Sequence, residues 1–305
     1  MVGPPSWSHD EHPSLDAQEI GAVNPDTPLE VLRYLSEIPN SSIRSHVFSN
    51  TSCPPDILSR NEPQDQWHRG IIARNPNCPV QALQQIAWDE DPSRRKAVAS
   101  HPNCPPLILQ FLARDKNGPV RLAVAQHPNC PPDELRRFSE ETGQHAADEI
   151  SAAALSHPNC PVDALCRAIT PNSSLTKAIE AAVCHPRLPV EWMELLISQE
   201  PPLWSQRVAE NPSCPPRLLL QLSGHIYDYQ VRGAVAKHPH CPAEALRVLS
   251  RDPSPFVRYQ VIQHPNCPLE LLDVMVNDEH PEISAAAANH PDAKPAVRAM
   301  WQLAH

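Results

Sequence analysis

A short run, Asn or His followed by Pro, a variable residue, Cys and Pro, returns along the chain at a nearly constant interval, and this repetition limits the fold more than any other feature. The cysteine slot holds Cys53, Cys78, Cys104, Cys130, Cys160, Cys214, Cys241 and Cys267, with Thr27, Leu188 and Ala293 standing in for it in degenerate copies. Eleven copies result, most of them 26 residues apart within a range of 25 to 30. A period this regular means stacked supersecondary units, each burying its apolar face against its neighbours. The chain carries 38 prolines against 7 glycines, which would suit a disordered linker if the prolines were scattered, but they are in phase. Apolar residues make up 41% and aromatics only 5%, a balance that favours many small core layers over one large centre.

Each copy has a readable plan. Proline after the cysteine, single or paired as in Cys104-Pro105-Pro106, suits the start of a helix, where its missing N–H is no loss. Apolar residues then follow at helical spacing: Leu83 and Ile86, Leu109 and Leu112, Leu135 and Phe138, Leu219 and Leu222, Leu246 and Leu249, Leu272 and Met275. A break follows, often Asp-Pro as at Asp91-Pro92 and Asp252-Pro253. A second segment, Val-Arg-x-x-Val-Ala-x-His at 120–127 and 231–238, is again helical in period, as α or as a 3₁₀ piece. It stops at a slot holding only Asn or His: Asn24, Asn50, Asn75, His101, His127, His157, His185, Asn211, His238, His264 and His290. Proline follows ten of these eleven, Asn50 being the exception, so the slot reads as a helix terminator whose residues tolerate unusual backbone angles.

The HPNCPP runs at 101–106 and 127–132, the NPNCPV run at 75–80, the leucine-rich helix and the Val-Arg-x-x-Val-Ala segment together resemble the leucine-rich repeat variant family from about Asp16 onward. The resemblance implies an all-α, right-handed superhelical solenoid of alternating α and short α or 3₁₀ helices. Residues 1–15 are then expected to be a flexible N-terminal segment and 16–305 the solenoid, with irregular, longer repeats around 138–190. Some family members carry an N-terminal cysteine cluster that binds an iron–sulfur centre. Residues 1–52 hold no cysteine, so no such cofactor is carried over.

Ten cysteines and sixteen histidines raise the question of metal. Each His-Pro-x-Cys pair supplies two ligands, and equivalent atoms of stacked helices lie roughly 8–10 Å apart, too far to share a zinc with bonds of ~2.0–2.3 Å. The same spacing excludes a ladder of disulfides, which need Cα atoms within ~7 Å. The phased cysteines therefore read as small, reduced core residues in a reducing compartment, while Cys166 and Cys184 lie outside the phase. No metal or catalytic site is expected, since no triad, HExxH or phosphate-loop motif stands out. The terminator histidines read as hydrogen-bonding caps.

Arg44, Arg69, Arg95, Arg121, Arg232 and Arg258 all stand six residues before the Asn/His slot, and stacking would align their guanidinium groups. Two readings stay open: each pairs with an aspartate of its own or a neighbouring turn, such as Asp91, Asp115 or Asp252, or the row binds anions. The row lapses at Ser151, Ile179 and Ser205, beside the two longest intervals, whose extra residues fall near 140–148 and 170–176. Trp192, Trp204, Tyr227 and Tyr229 offer aromatic anchors for a partner, with core packing the alternative for the tryptophans. The C-terminal copy, with Met300, Trp301 and Leu303, is more apolar than a solvent-facing cap and is expected to pack on something else.

The net charge of −10 favours a neutral or basic partner, and no apolar stretch approaches the ~18 residues needed to cross a membrane. The expected function is thus a cytoplasmic, non-enzymatic scaffold presenting an extended concave surface to a protein or peptide. The alternative is a nucleic-acid-binding α-solenoid that uses the arginines.

Overall fold

The computed structural model describes residues 14–59, 67–141, 145–169, 176–199, 203–226 and 228–304. Every regular element among them is helical. The chain divides into two compact units, residues 1–160 and 161–305. In the first, helices run in the order α1 (Leu15–Val23), α2 (Leu29–Glu37), α3 (Ser41–Ser49), α4 (Pro55–Leu58), α5 (Arg69–Ile72), α6 (Val80–Ile86), α7 (Pro92–Ala99), α8 (Pro106–Leu112), α9 (Gly118–Ala125), α10 (Pro132–Ser139) and α11 (His145–Ser156). The second holds α12 (Val162–Ala168), α13 (Thr176–Cys184), α14 (Val190–Ser198), α15 (Ser205–Glu210), α16 (Pro216–Ser223), α17 (Tyr229–Lys237), α18 (Ala243–Leu249), α19 (Pro255–Ile262), α20 (Leu269–Met275), α21 (Pro281–Asn289) and α22 (Pro295–Ala304).

Two helices make one repeat. The first begins after the proline that follows the cysteine, and that proline is the cap rather than the first helical residue. Pro105 has φ −65° and ψ 147°, and its carbonyl accepts from the Ile108 and Leu109 N–H groups. A second proline, where present, takes the first helical position, as Pro106 does. The second helix is capped by a side chain at the break in α7 and α17: Asp91 accepts from the Ser93 N–H at 2.8 Å, and Asp228 from the Gln230 N–H at 2.7 Å. Both segments are α-helical, and the only described 3₁₀ residues are 67–68.

The second helices of successive repeats pack side by side, α7 on α9 and α9 on α11 in the first unit, α15 on α17 and α17 on α19 in the second. The core lies between the two helices of each pair and between pairs. All twelve apolar residues picked out at helical spacing, Leu83 to Met275, are buried there. Each such side chain is worth roughly 1.5–3 kcal/mol when taken from water. The phased cysteines share that layer.

Candidate functional site

The arrangement starts with the Asn/His slot. Asn50, His238 and Asn211 have φ near −67° and ψ near 125°, the ordinary extended backbone that precedes proline. Backbone tolerance therefore does not explain the choice of residue. Hydrogen bonding does. In every copy the near side-chain acceptor takes the N–H two residues on: Asn75 Oδ1 from Asn77 at 2.9 Å, His127 Nδ1 from Asn129 at 3.0 Å. From Asn50 to His157 and from Asn211 to His264 the far donor reaches back one repeat to the carbonyl of the preceding slot. Asn75 Nδ2 donates to the Asn50 carbonyl at 2.8 Å, His101 Nε2 to Asn75 at 2.9 Å, and His157 Nε2 to His127 at 3.0 Å. In the second unit Asn211 donates to His185, His238 to Asn211 and His264 to His238. An amide and an imidazole are interchangeable here because each offers one acceptor and one donor at opposite ends. These partners fix the histidines as the neutral Nε2–H tautomer.

The arginines form a second ladder. Arg95 donates from Nε and Nη2 to both oxygens of Asp115 in the next repeat, at 2.6 and 2.9 Å, and from Nη1 to the Asp89 carbonyl in its own loop at 2.7 Å. Arg258 treats Asp278 and the Asp252 carbonyl alike, at 2.7 to 2.8 Å. Arg232 grips Asp252 and the His225 carbonyl, Arg121 grips Glu141 and the Asp115 carbonyl, and Arg69 reaches Asp89. All five acidic partners lie twenty residues ahead. Asp91, considered as a partner from the sequence, caps α7 and lies 3.6 Å from Arg94 instead. Arg44 donates to the Ile38 carbonyl at 3.0 Å.

Arg95, Arg232 and Arg258 are buried, and hydrogen bonds to Asp115, Asp252 and Asp278 hold each guanidinium above its usual pKa against the cost of burial. On Asp115 and Asp278 burial acts to raise the carboxyl pKa, but the arginine and a backbone N–H outweigh it and lower the value. Where the arginine lapses, Ser151 donates its hydroxyl to the Ser139 carbonyl at 3.0 Å.

Burial pushes the thiols of Cys53, Cys78, Cys104, Cys130, Cys214 and Cys241 up to about 12, which removes their thiolate chemistry at neutral pH. Cys166 and Cys184 are only half-buried. Among the described residues no group of three or more His, Cys, Asp or Glu side chains is placed to hold a metal ion.

Grooves open to a partner lie along the exposed side of the second helices. In the second unit a groove of about 610 Å³ runs over α15, α17 and α19, lined by Gln206, Ala209, Glu210, Tyr229, Gly233 and Phe256 among others. A further groove of about 740 Å³ lies between α19 and α21, lined by Phe256, Tyr259, His280, Glu282, Ile283 and Ala286. The first unit has one of about 540 Å³ at the equivalent slots, with Arg74 and Lys96 in its walls.

Phe256 separates the two grooves of the second unit because α17 presents a glycine to it. A Cβ on Gly233 would stand 2.7 Å from Phe256 Cε1, so the ring lies directly on the α17 backbone. Tyr229 meets that ring edge-on at 6.1 Å, and Lys237 Nζ sits 5.1 Å from its centroid. Phe256, Tyr259 and Tyr229 stay 39–49% exposed. Of the described anchors named from sequence, only Tyr229 lines these grooves. Trp192 in α14 and Trp204 at the start of α15 are half-buried, and Tyr227 lies outside the described residues. Phe256 and Tyr259 escaped notice although the Val-Arg-x-x-Val-Ala frame places them at solvent-facing positions, two before and one after Arg258.

These features define an all-helical protein of stacked two-helix repeats. The leucine-rich repeat variant family model matches residues 229–254, one full period of the chain. A solved structure described as a leucine-rich repeat variant with a novel repetitive protein structural motif is similar over 73% of this chain and 86% of its own, at 25% identity and a TM-score of 0.51. Both findings support the resemblance to that family that the HPNCPP runs carry. A search of curated proteins finds no match.

Proposed function

We propose that this helical-repeat scaffold acts by binding, and that it holds a protein segment along the exposed side of its second helices, with Tyr229, Phe256 and Tyr259 as the anchor. The observation that carries the reading is the placement of Phe256: a large aromatic ring, 42% exposed, seated with its Cε1 edge against Gly233 between two grooves. Exposed rings fixed at a groove are the usual anchors of recognition, because their area is buried with little loss of freedom. The groove floors are alanine and glycine, at Ala209, Gly233, Ala234 and Ala286, so a backbone can approach closely. Arg95, Arg121, Arg232 and Arg258 already hold a carboxylate and a carbonyl each, which favours a protein partner over a phosphate backbone. No described helix is long and apolar enough to cross a membrane. The test is selection from a random displayed-peptide library against the whole chain. Binders should be enriched, and Phe256→Ala should abolish their binding while the fold is retained. Binders that tolerate Phe256→Ala would place the site elsewhere.

A further inference from the structure

The groove between α19 and α21 differs from the other two in its charge. Its lining includes the partly exposed Phe256 and Tyr259, together with Glu282 and His280, and no lysine or arginine. Glu282 is exposed and has no ion-pair or hydrogen-bond partner among the described residues. That sets it apart from Glu210 in the neighbouring groove, whose carboxylate accepts from Gln206 at 2.8 Å and from Arg207 at 2.7 Å. An aromatic face attracts a cation through its quadrupole, and a free carboxylate at the same groove adds a charge the cation can meet.

The chain itself shows the Phe256 ring doing this on its other side. Lys237 Nζ lies over the ring at 5.1 Å, and Lys237 lines the α17 groove but not the α21 groove. The ring is thus already a cation acceptor on one side, while the side facing Glu282 carries none. The net charge of −10 points the same way, since it draws basic segments and repels acidic ones.

We infer that the groove formed by Phe256, Tyr259 and Glu282 takes an arginine or lysine side chain of a peptide partner, its alkyl stem on the two rings and its cationic head at Glu282. This rests on the binding role proposed above and names the chemistry of the partner at that site. A basic side chain fits both surfaces at once because its stem is apolar and its end charged. The neighbouring α17 groove, with Glu210 neutralised, then takes an apolar residue of the same segment.

The same library selection tests this, read for composition. The expected result is enrichment of peptides with arginine or lysine next to an apolar residue. Their affinity should fall about five-fold with Glu282→Gln, the loss of one partly exposed charge contact, and should weaken as salt rises. Glu244→Gln, an exposed acid outside the groove, should leave binding unchanged, and thermal melts of both variants should match the parent. Enriched peptides that are neutral or acidic, or that are indifferent to Glu282→Gln, would overturn the basic occupant while leaving the groove reading intact. No enrichment at all would overturn both.

Discussion

The imidazole of His127 joins two repeats: its Nε2–H donates to the carbonyl of His101 at 2.9 Å while its Nδ1 takes the N–H of Asn129 at 3.0 Å. The His101 carbonyl that receives it also accepts, within its own turn, from the Cys104 N–H at 2.9 Å. One backbone oxygen thus fixes both the turn within a repeat and the distance to the next. The geometry requires an acceptor at Nδ1 and a donor at Nε2.

Burial lowers the pKa of His238 from the ordinary 6.5, the nearby His240 and His264 lower it further, and the bond to the Asn211 carbonyl opposes them. The unfolded chain therefore takes up a proton near 6.5 that the folded chain resists. The contribution of this site is complete above that value and is lost as pH falls from there towards the depressed folded pKa. His238→Asn keeps the donor and acceptor and removes the titration. Its stability should fall less steeply as pH drops below about 6.5, by up to roughly 1.4 kcal/mol per pH unit. Urea midpoints of both proteins across that range check this, and equal slopes would refute the neutral assignment.

The Arg95–Asp115 pair is buried on both sides, with side chains 9% and 6% exposed. Arg95→Ala leaves an unpaired carboxylate in the interior and should cost on the order of 3–5 kcal/mol. Adding Asp115→Ala should recover part of that loss, because the stranded charge goes with it. Losses that simply add in a denaturation cycle would show that the two groups act separately. The lowered pKa of Asp115 sets the pH window: the pair's contribution is present above the ordinary carboxyl value of 3.8 and disappears as pH drops below it.

Gly233→Ala probes the groove without touching a charged group. The new methyl would meet Phe256 Cε1 at 2.7 Å, so the ring must swing away from α17. Selected peptides should then bind several-fold more weakly, with a stability change of about 1–3 kcal/mol for the local overpacking. Unchanged binding would show that the seat of Phe256 is not needed.

Thiol labelling tests the layer of cysteines. In the native protein a maleimide reagent should reach Cys166 and Cys184 first, since the phased cysteines are buried, and six of them are held as thiols by pKa values near 12. Peptide mass mapping reads the order. Early labelling of Cys104 or Cys241 would mean that the stack opens easily at those repeats.

The repeat, its two helices and its core were legible because they are local. Leu109 and Leu246 stand on a three-to-four-residue period, and both are fully buried. The role of the Asn/His slot was half legible. The proline after it announces a stop, but the donor that reaches back one repeat shows only when helices are stacked. The arginine partners were open to reading, since a constant offset of twenty residues joins Arg95 to Asp115 and Arg258 to Asp278. The seat of Phe256 on Gly233 was not, because it depends on how closely two helices pack rather than on any spacing within one.

The slot ladder has a direction: from Asn50 to His157 in the first unit and from Asn211 to His264 in the second, each slot gives its side-chain donor backward and offers its carbonyl forward. Each joint is therefore a plug meeting an identical socket. Removal of residues 102–127 would bring His101 before Pro128-Asn129-Cys130, restoring the same sequence around the seam. A chain wired this way can gain or lose whole periods by duplication or deletion of its coding segment without redesigning the hydrogen bonds of the slot at the break, so its length is free to change in steps of one repeat.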